Sequence, residues 1–172
     1  MHRIETQWRR PEMQNVKGET QDVLIGSTAV STMKDLLRSQ GTNVKTTVNG
    51  GETILVVEDD PGLRAMVGYL LRWHGYRLLE ASYPGEAESL VRHFADPIDL
   101  VLMDVTLPGI NGYELARTLL SLRSFPAMLF VSGYEQDYLA LDRTVCVKSE
   151  FLLKPFGLNV LITKIHELLN DA

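Results

Sequence analysis

The stretch that decides the fold is Asp99-Leu-Val-Leu-Met-Asp104-Val-Thr-Leu-Pro108-Gly-Ile-Asn-Gly112. Four apolar residues lead directly into the carboxylate of Asp104, which predicts a buried strand with an acid at its C-terminal end. Proline, glycine and asparagine follow between Pro108 and Gly112 and break the regular structure. An acid at a strand end, in front of a loop, is where open α/β sheets place their functional groups.

A short apolar strand followed by an amphipathic helix recurs five times after residue 52. The predicted strands are Thr53–Val57, Tyr76–Ala81, residues 99–104, Pro126–Val131 and Glu150–Leu153. The predicted helices begin at Pro61 (with Asp60 as N-cap), Pro84, Asn111 or Gly112, and near Gly157, and residues 135–149 hold a short or poorly formed helix. This alternation predicts an α/β fold, a doubly wound parallel sheet in the strand order 2-1-3-4-5.

Residues 1–51 differ from the rest of the chain and are predicted to be a separate extension. Residues 1–21 have few aliphatic side chains and no periodicity, which is typical of disorder. Residues 22–38 show a weak helical pattern that fits either a dimerisation helix or a partly ordered tail. Residues 41–51 are typical of a linker. We therefore expect one folded domain over residues 52–172.

Composition excludes several classes of protein. The 172 residues carry a net charge of -5, and residues 52–172 hold seventeen acidic against ten basic side chains, which argues against direct nucleic-acid binding. The single cysteine excludes an internal disulfide framework. No apolar run approaches the roughly 20 residues of a membrane helix, and the N-terminus lacks a signal peptide core. We expect a cytoplasmic protein with no membrane contact.

The predicted strand order places the ends of the first and third strands side by side. Glu58, Asp59 and Asp104 then share one crevice, whereas Asp60 is assigned to helix capping. Three crowded carboxylates repel one another, so a cation is needed to keep them ionised. Oxygen ligands without histidine or cysteine favour Mg²⁺ or Mn²⁺.

Two further polar side chains follow the fourth and fifth predicted strands. Ser132 supplies a hydroxyl donor and Lys154 an ammonium group. A hydroxyl, an ammonium and a divalent cation around the carboxylate of Asp104 are what an aspartyl phosphate would need, because together they neutralise its oxygens.

Residues 53–171 resemble the receiver domain of two-component response regulators, a family with a flavodoxin-like (βα)5 fold. The motifs that carry the resemblance are Ile54-Leu-Val-Val-Glu58-Asp59-Asp60, Leu102-Met-Asp104-Val-Thr-Leu-Pro108-Gly109, Val131-Ser132-Gly133 and Leu153-Lys154-Pro155-Phe156. The sequences of these motifs are most similar to those of receivers at the C-terminus of hybrid sensor histidine kinases. Whether the chain is a stand-alone receiver or the detached end of such a kinase is left open.

The resemblance implies that Asp104 accepts a phosphoryl group from a phosphohistidine on a sensor histidine kinase or a histidine phosphotransfer protein. It implies that Asp59 and Asp104 bind Mg²⁺ directly, with Glu58 assisting and the backbone carbonyl of Thr106 as another ligand. Glu58 stands where aspartate is more usual in the family. Beyond accepting the phosphoryl group and slowly hydrolysing the aspartyl phosphate, the family is not enzymatic.

The resemblance also implies a switch. Ser132 and Lys154 would contact the phosphoryl group, and Lys154–Pro155 would be a cis peptide, which agrees with the near restriction of cis bonds to proline. On phosphorylation Ser132 would move toward Asp104 and Phe151 would turn into the vacated space. The surface of the fourth helix, fifth strand and fifth helix would then change for a downstream protein target. A phosphorylation-dependent homodimer is left open.

Two other functions compete with the phosphorylated receiver. A phosphatase of the haloacid dehalogenase type also uses an aspartate at a strand end, but it requires a second aspartate where this chain has Thr106. A receiver-like interaction module that works without phosphorylation would keep the fold and not the switch. All the switch residues are present, which favours the phosphorylated receiver.

Overall fold

The computed structural model describes residues 51–135, 137 and 148–170. In chain order the described strands and helices are β1 (Thr53–Val57), α1 (Pro61–Trp73), β2 (Arg77–Ala81), α2 (Pro84–His93), β3 (Leu100–Asp104), β4 (Thr106–Leu107), β5 (Ile110–Asn111), α3 (Gly112–Leu122), β6 (Ala127–Ser132), β7 (Ser149–Leu153) and α4 (Leu158–Asn170).

The main sheet has five parallel strands in the order β2-β1-β3-β6-β7. Since β6 and β7 are the fourth and fifth predicted strands, the predicted doubly wound order is confirmed. The register pairs Val57 with Met103 and Asp104 with Val131. The residues that follow β1, β3, β6 and β7 therefore meet at one edge of the sheet, which is where the predicted site residues lie.

The three central strands are buried along their whole length, because helices cover both faces of the sheet. On one face the side chains of β1, β3 and β6 pack against α2 and α3 in a continuous core, whose centre is formed by Leu55, Val101, Met103, Met128, Phe130, Leu115 and Leu119. Alternate residues of the same strands point to the opposite face. Such a core fixes the strand ends, and with them the site, to a narrow range of positions.

Helix α1 begins and ends as the sequence predicts. Asp60 is the N-cap, and its side chain accepts a 2.6 Å hydrogen bond from the backbone N–H of Leu63. Pro61 occupies the first turn, where a missing N–H costs nothing. Gly75 follows the helix with a φ of 92°, in the left-handed region that glycine adopts freely.

The segment after β3 is more regular than the sequence indicates. Where we predicted only a break, Thr106–Leu107 and Ile110–Asn111 form a two-residue antiparallel ladder around Pro108 and Gly109. Gly109 has a φ of 83°, which permits the tight reversal. Runs of two residues are too short to give an alternating pattern, so the sequence carried no signal for them.

Several predictions concern residues outside the described ones. They are the disorder of residues 1–21, the weak helix of residues 22–38, the linker of residues 41–51 except Gly51, and nearly all of the helix at 135–149. The domain boundary at residues 51 and 52 stays a prediction. Within the described part of the chain, none of the helices combines the length and apolarity needed to cross a bilayer.

Gly112, the first residue of α3, packs against the backbone that carries Asp104. A Cβ atom there would lie 2.8 Å from the Cα of Val105 and 3.0 Å from the carbonyl carbon of Asp104. We expect Gly112→Ala to lower the free energy of unfolding by about 1–3 kcal/mol, because backbone atoms cannot move aside as a flexible side chain can. Urea denaturation measures the change.

Gly133→Ala is the matched control. A Cβ at Gly133 meets no atom within 4 Å, so its effect on stability should stay within about 0.5 kcal/mol. Equal effects of the two substitutions would show that the contact with Asp104 does not constrain residue 112.

Candidate functional site

Three carboxylates converge at the carboxyl edge of the sheet. Glu58 and Asp59 directly follow β1, and Asp104 is the last residue of β3. One carboxylate oxygen of each lies within 4.8 Å of the others. Glu58 and Asp104 are only 6% and 5% exposed, so water screens their mutual repulsion poorly. The structure brings together the three acids that the sequence singled out.

Lys154, which follows β7, reaches into this acidic group. Its Nζ atom lies 2.6 Å from Oδ2 of Asp104 and 2.8 Å from Oε2 of Glu58. Its backbone N–H donates a 2.7 Å hydrogen bond to the carbonyl of Ser132, and the peptide bond from Lys154 to Pro155 is cis. A single ammonium group thus contacts two of the three carboxylates.

Protonation equilibria reflect this crowding. Burial raises the pKa of Glu58, and the charge of Asp104 raises it further against the opposing hydrogen bond from Lys154. Burial alone would lower the pKa of Lys154, but its hydrogen bonds to Asp104 and Glu58 outweigh burial and raise it. Lys154 therefore stays an ammonium ion at neutral pH, whereas Glu58 resists ionisation.

Asp104 is oriented through both of its carboxylate oxygens. While Oδ2 faces Lys154, Oδ1 accepts a 2.7 Å hydrogen bond from the backbone N–H of Thr106. Thr106 was singled out for its carbonyl; its N–H contact with Asp104 was not foreseen. The contact orients the carboxylate and leaves it at the crevice between β1 and β3.

The loop after β1 is held by an arginine that the sequence did not single out. The guanidinium of Arg64, on α1, donates hydrogen bonds to the backbone carbonyls of Glu58 at 2.6 Å and of Asp59 at 3.2 Å. The backbone N–H of Asp60 donates to Oε1 of Glu58 at 3.2 Å. These bonds fix the backbone from which both acidic side chains project.

Ser132, at the end of β6, is fully buried but does not donate to Asp104. Its hydroxyl donates a hydrogen bond to a carboxylate oxygen of Asp137 and accepts one of 3.1 Å from the backbone N–H of Tyr134. Sequence reasoning missed Asp137, because an acid in a polar segment five residues after Ser132 gives no periodic signal.

Phe151, the residue predicted as the switch aromatic, lies in the middle of the edge strand β7. It is half-buried, pairs in register with Phe130 of β6 and packs against the core beneath α2 and α3. Phe151 therefore contacts the core and is still partly exposed at the edge strand.

The residues present fit a hard divalent cation. The donors are carboxylate oxygens, and one ammonium leaves two of the three negative charges uncompensated if all three acids are ionised. Mg²⁺ and Mn²⁺ match both the oxygen donors and the charge. Glu58, Asp59 and Asp104 are the side chains that would hold such an ion.

Comparison with known proteins agrees with this fold. Residues 54–166 match the family described as response regulator receiver domain. The chain is 34% identical over 124 residues to the sensor kinase CckA of Brucella abortus, a match that covers 72% of this chain and 13% of the kinase. This chain belongs to the receiver domain family of two-component response regulators.

Two solved structures show the same fold. The receiver domain of the hybrid histidine kinase CckA is 33% identical, with a TM-score of 0.54, over 69% of this chain and 99% of that one. The response regulator TrrA of Thermotoga maritima, in complex with Mg²⁺-BeF, is 27% identical with a TM-score of 0.57 over the same shares. The chain spans 13% of the length of the kinase CckA and 48% of the length of the transcriptional regulatory protein AruR of Pseudomonas aeruginosa. It therefore corresponds to one part of those proteins.

The raised pKa of Glu58 has a measurable consequence for stability. Because the pKa in the folded protein lies above the ordinary value of 4.5, folding is favoured while Glu58 is protonated and loses that contribution as the pH rises through the raised pKa. We expect the free energy of unfolding of Glu58→Gln to increase relative to that of the wild type as the pH is raised from 4 to 8. Urea denaturation without divalent cations measures this difference.

Glu88→Gln provides the control, since Glu88, on α2, is partly exposed and its carboxylate reaches the exposed Arg92 at 4.0 Å. Its effect on the free energy of unfolding should stay within about 0.5 kcal/mol at both pH values, as for most surface substitutions. A Glu58→Gln difference that does not grow with pH would contradict the raised pKa.

Proposed function

We propose that this chain is a phosphoryl acceptor in a two-component phosphorelay and that Asp104 receives the phosphoryl group. The observation that carries the proposal is the pair of contacts on Asp104, from the ammonium of Lys154 and from the N–H of Thr106, beside two further carboxylates. This arrangement supports the proposal, because it would orient a nucleophilic oxygen and would provide positive charge to the phosphoryl oxygens.

The reaction is a transfer between a nitrogen and an oxygen. A carboxylate oxygen of Asp104 attacks the phosphorus of a phosphohistidine, a P–O bond forms, and the P–N bond breaks with its electron pair returning to the imidazole. A bound Mg²⁺ would supply positive charge to the phosphoryl oxygens during transfer. The donor class, a sensor histidine kinase or a histidine phosphotransfer protein, is proposed from family membership and from the likeness to the hybrid kinase CckA.

Lys154 changes partner during this reaction. In the described structure its ammonium contacts Oδ2 of Asp104, and a phosphoryl group on that aspartate would bring new anionic oxygens within its reach. Ser132 is the second donor proposed for the phosphoryl group. The Mg²⁺-BeF complex of the relative TrrA supports a magnesium site of this kind.

The output of the switch is proposed to be the surface around β7. Movement of Ser132 toward the phosphoryl group would open space at the end of β6, and Phe151 lies half-buried on the neighbouring strand. A turn of Phe151 into that space would change the surface formed by β7, α4 and the helix predicted at 135–149. A downstream protein, or a second copy of the chain, would bind that surface.

The assignment of the acceptor predicts a covalent product. Incubation with Mg²⁺ and acetyl phosphate should add one phosphoryl group to the wild type, and Asp104→Asn should abolish the addition because the amide is not a nucleophile. Intact mass spectrometry measures the product.

The control is Asp96→Asn, which removes an exposed aspartate paired with Arg77 at 2.8 Å, away from the site. It should be labelled like the wild type. Labelling that survives Asp104→Asn would contradict the assignment, and no labelling of the wild type would favour an interaction module that works without phosphorylation.

The proposed assignment of Asp59 as a metal ligand predicts how its substitution changes the affinity for Mg²⁺. Asp59→Asn should weaken Mg²⁺ binding about tenfold or more, since it replaces a charged ligand by a neutral one. Isothermal titration calorimetry measures the affinity.

Asp60→Asn is the matched control, because it removes the adjacent carboxylate and asparagine caps a helix as well as aspartate does. Its affinity for Mg²⁺ should change by less than about threefold, as expected for a charge that is not a ligand. A larger loss for Asp60→Asn than for Asp59→Asn would place the ion elsewhere.

A further inference from the structure

Asp137 occupies the hydrogen bond that the proposed function requires of Ser132. A serine hydroxyl has a single proton and can donate it to one acceptor at a time. In the described structure the hydroxyl donates its hydrogen bond to the carboxylate of Asp137. Asp137 and a phosphoryl group on Asp104 are therefore competing acceptors for the same donor.

The backbone of Asp137 is held in place by two contacts of its own. The hydroxyl of Tyr113 donates a 2.7 Å hydrogen bond to the carbonyl of Asp137, and the N–H of Asp137 donates to the carbonyl of Tyr134 at 3.2 Å. Asp137 thus does not depend on Ser132 for its position.

Tyr113 in turn is a rigid support. It lies in the first turn of α3, is 5% exposed and packs its ring on Phe130 at 4.7 Å between centroids. Burial, with the charge of Asp137, raises the pKa of Tyr113 to about 12, so its hydroxyl keeps the proton that it donates. One chain of contacts runs from the core through Tyr113 and Asp137 to Ser132.

We propose that Asp137 is a positioning residue that holds the Ser132 hydroxyl away from Asp104 and thereby slows phosphoryl acceptance. The inference rests on the proposed function of Asp104 and adds a residue to it. The acceptance step must break the bond between Ser132 and Asp137 before the hydroxyl reaches the phosphoryl oxygens.

The same exchange links the chemistry to the segment after β6. When the phosphoryl group takes the hydroxyl, the carboxylate of Asp137 loses its hydrogen-bond donor beside a new negative charge. Like charges in a poorly screened site repel, so Asp137 moves outward. Asp137 would then lose its contact with Tyr113, which couples acceptance to α3 as well as to β7.

The test is the rate of labelling by acetyl phosphate with saturating Mg²⁺, followed by intact mass. We expect Asp137→Asn to raise the rate about fivefold, because a neutral acceptor holds the hydroxyl roughly half as strongly as a carboxylate. That factor corresponds to about 1 kcal/mol.

The matched control is Glu135→Gln, which removes an exposed carboxylate two residues from the partly buried Asp137. If the loss of one negative charge were enough to attract the anionic acetyl phosphate, the labelling rates of Asp137→Asn and Glu135→Gln would rise by the same factor. That result would overturn the inference. We expect Glu135→Gln to change the rate by less than about twofold, because an exposed charge is well screened.

A double-mutant cycle separates positioning from a structural role. In the Ser132→Ala background Asp137→Asn should have no effect on the rate, because there is no hydroxyl left to hold. An equal acceleration with and without the hydroxyl would overturn the inference, as would a slower rate for Asp137→Asn in the wild-type background.

Tyr113→Phe gives a second variant should Asp137→Asn fail to fold. It keeps the ring on Phe130 and removes the hydrogen bond that fixes Asp137, so it should also raise the rate, and again only when Ser132 is present. If the wild type is labelled on Asp104 and both Asp137→Asn and Tyr113→Phe are labelled at the wild-type rate, this inference alone is overturned. Wild type without any label would overturn the proposed function and this inference together.

Discussion

The ammonium of Lys154 between Asp104 and Glu58 is the interaction on which the site depends. Two buried carboxylates at the ends of neighbouring strands would repel each other without it, and burying unpaired charge is costly. The same contact ties the end of β7 to the ends of β1 and β3 across the sheet. One ammonium still leaves the three acids short of positive charge, which is the condition that the proposed divalent cation and phosphoryl group would meet.

The fold supplies this contact by geometry rather than by local sequence. Parallel strands in a doubly wound order bring their carboxyl ends to one edge, so residues far apart in the chain become neighbours. The close packing of Gly112 on the backbone of Asp104 and the hydrogen bonds from Arg64 to the loop after β1 then fix the acids in place. The positions of the acids are therefore set mainly by contacts of the backbone.

Much of this was predictable because each signal was local. The apolar strands, the Asp60-Pro61 helix start and the strand-end positions of Glu58, Asp104 and Lys154 follow from short patterns, and the topology rules leave few sheet orders. The ladder at Thr106–Asn111 and the contacts of Arg64 and Asp137 did not follow, since they depend on which backbone groups meet after folding. Ser132 was expected to contact a phosphoryl group on Asp104, which stays a prediction, and the hydrogen bond that its hydroxyl donates to Asp137 had no signal in the sequence.

A crystal structure of the protein with Mg²⁺ and beryllofluoride would test the central claim most directly, since beryllofluoride on an aspartate mimics a phosphoryl group. The account predicts beryllium on Asp104, Mg²⁺ at about 2.1 Å from oxygens of Asp59 and Asp104, and Lys154 in contact with fluorine. Beryllofluoride bound to another carboxylate, or Lys154 still bridging Asp104 and Glu58 with no metal beside them, would contradict it.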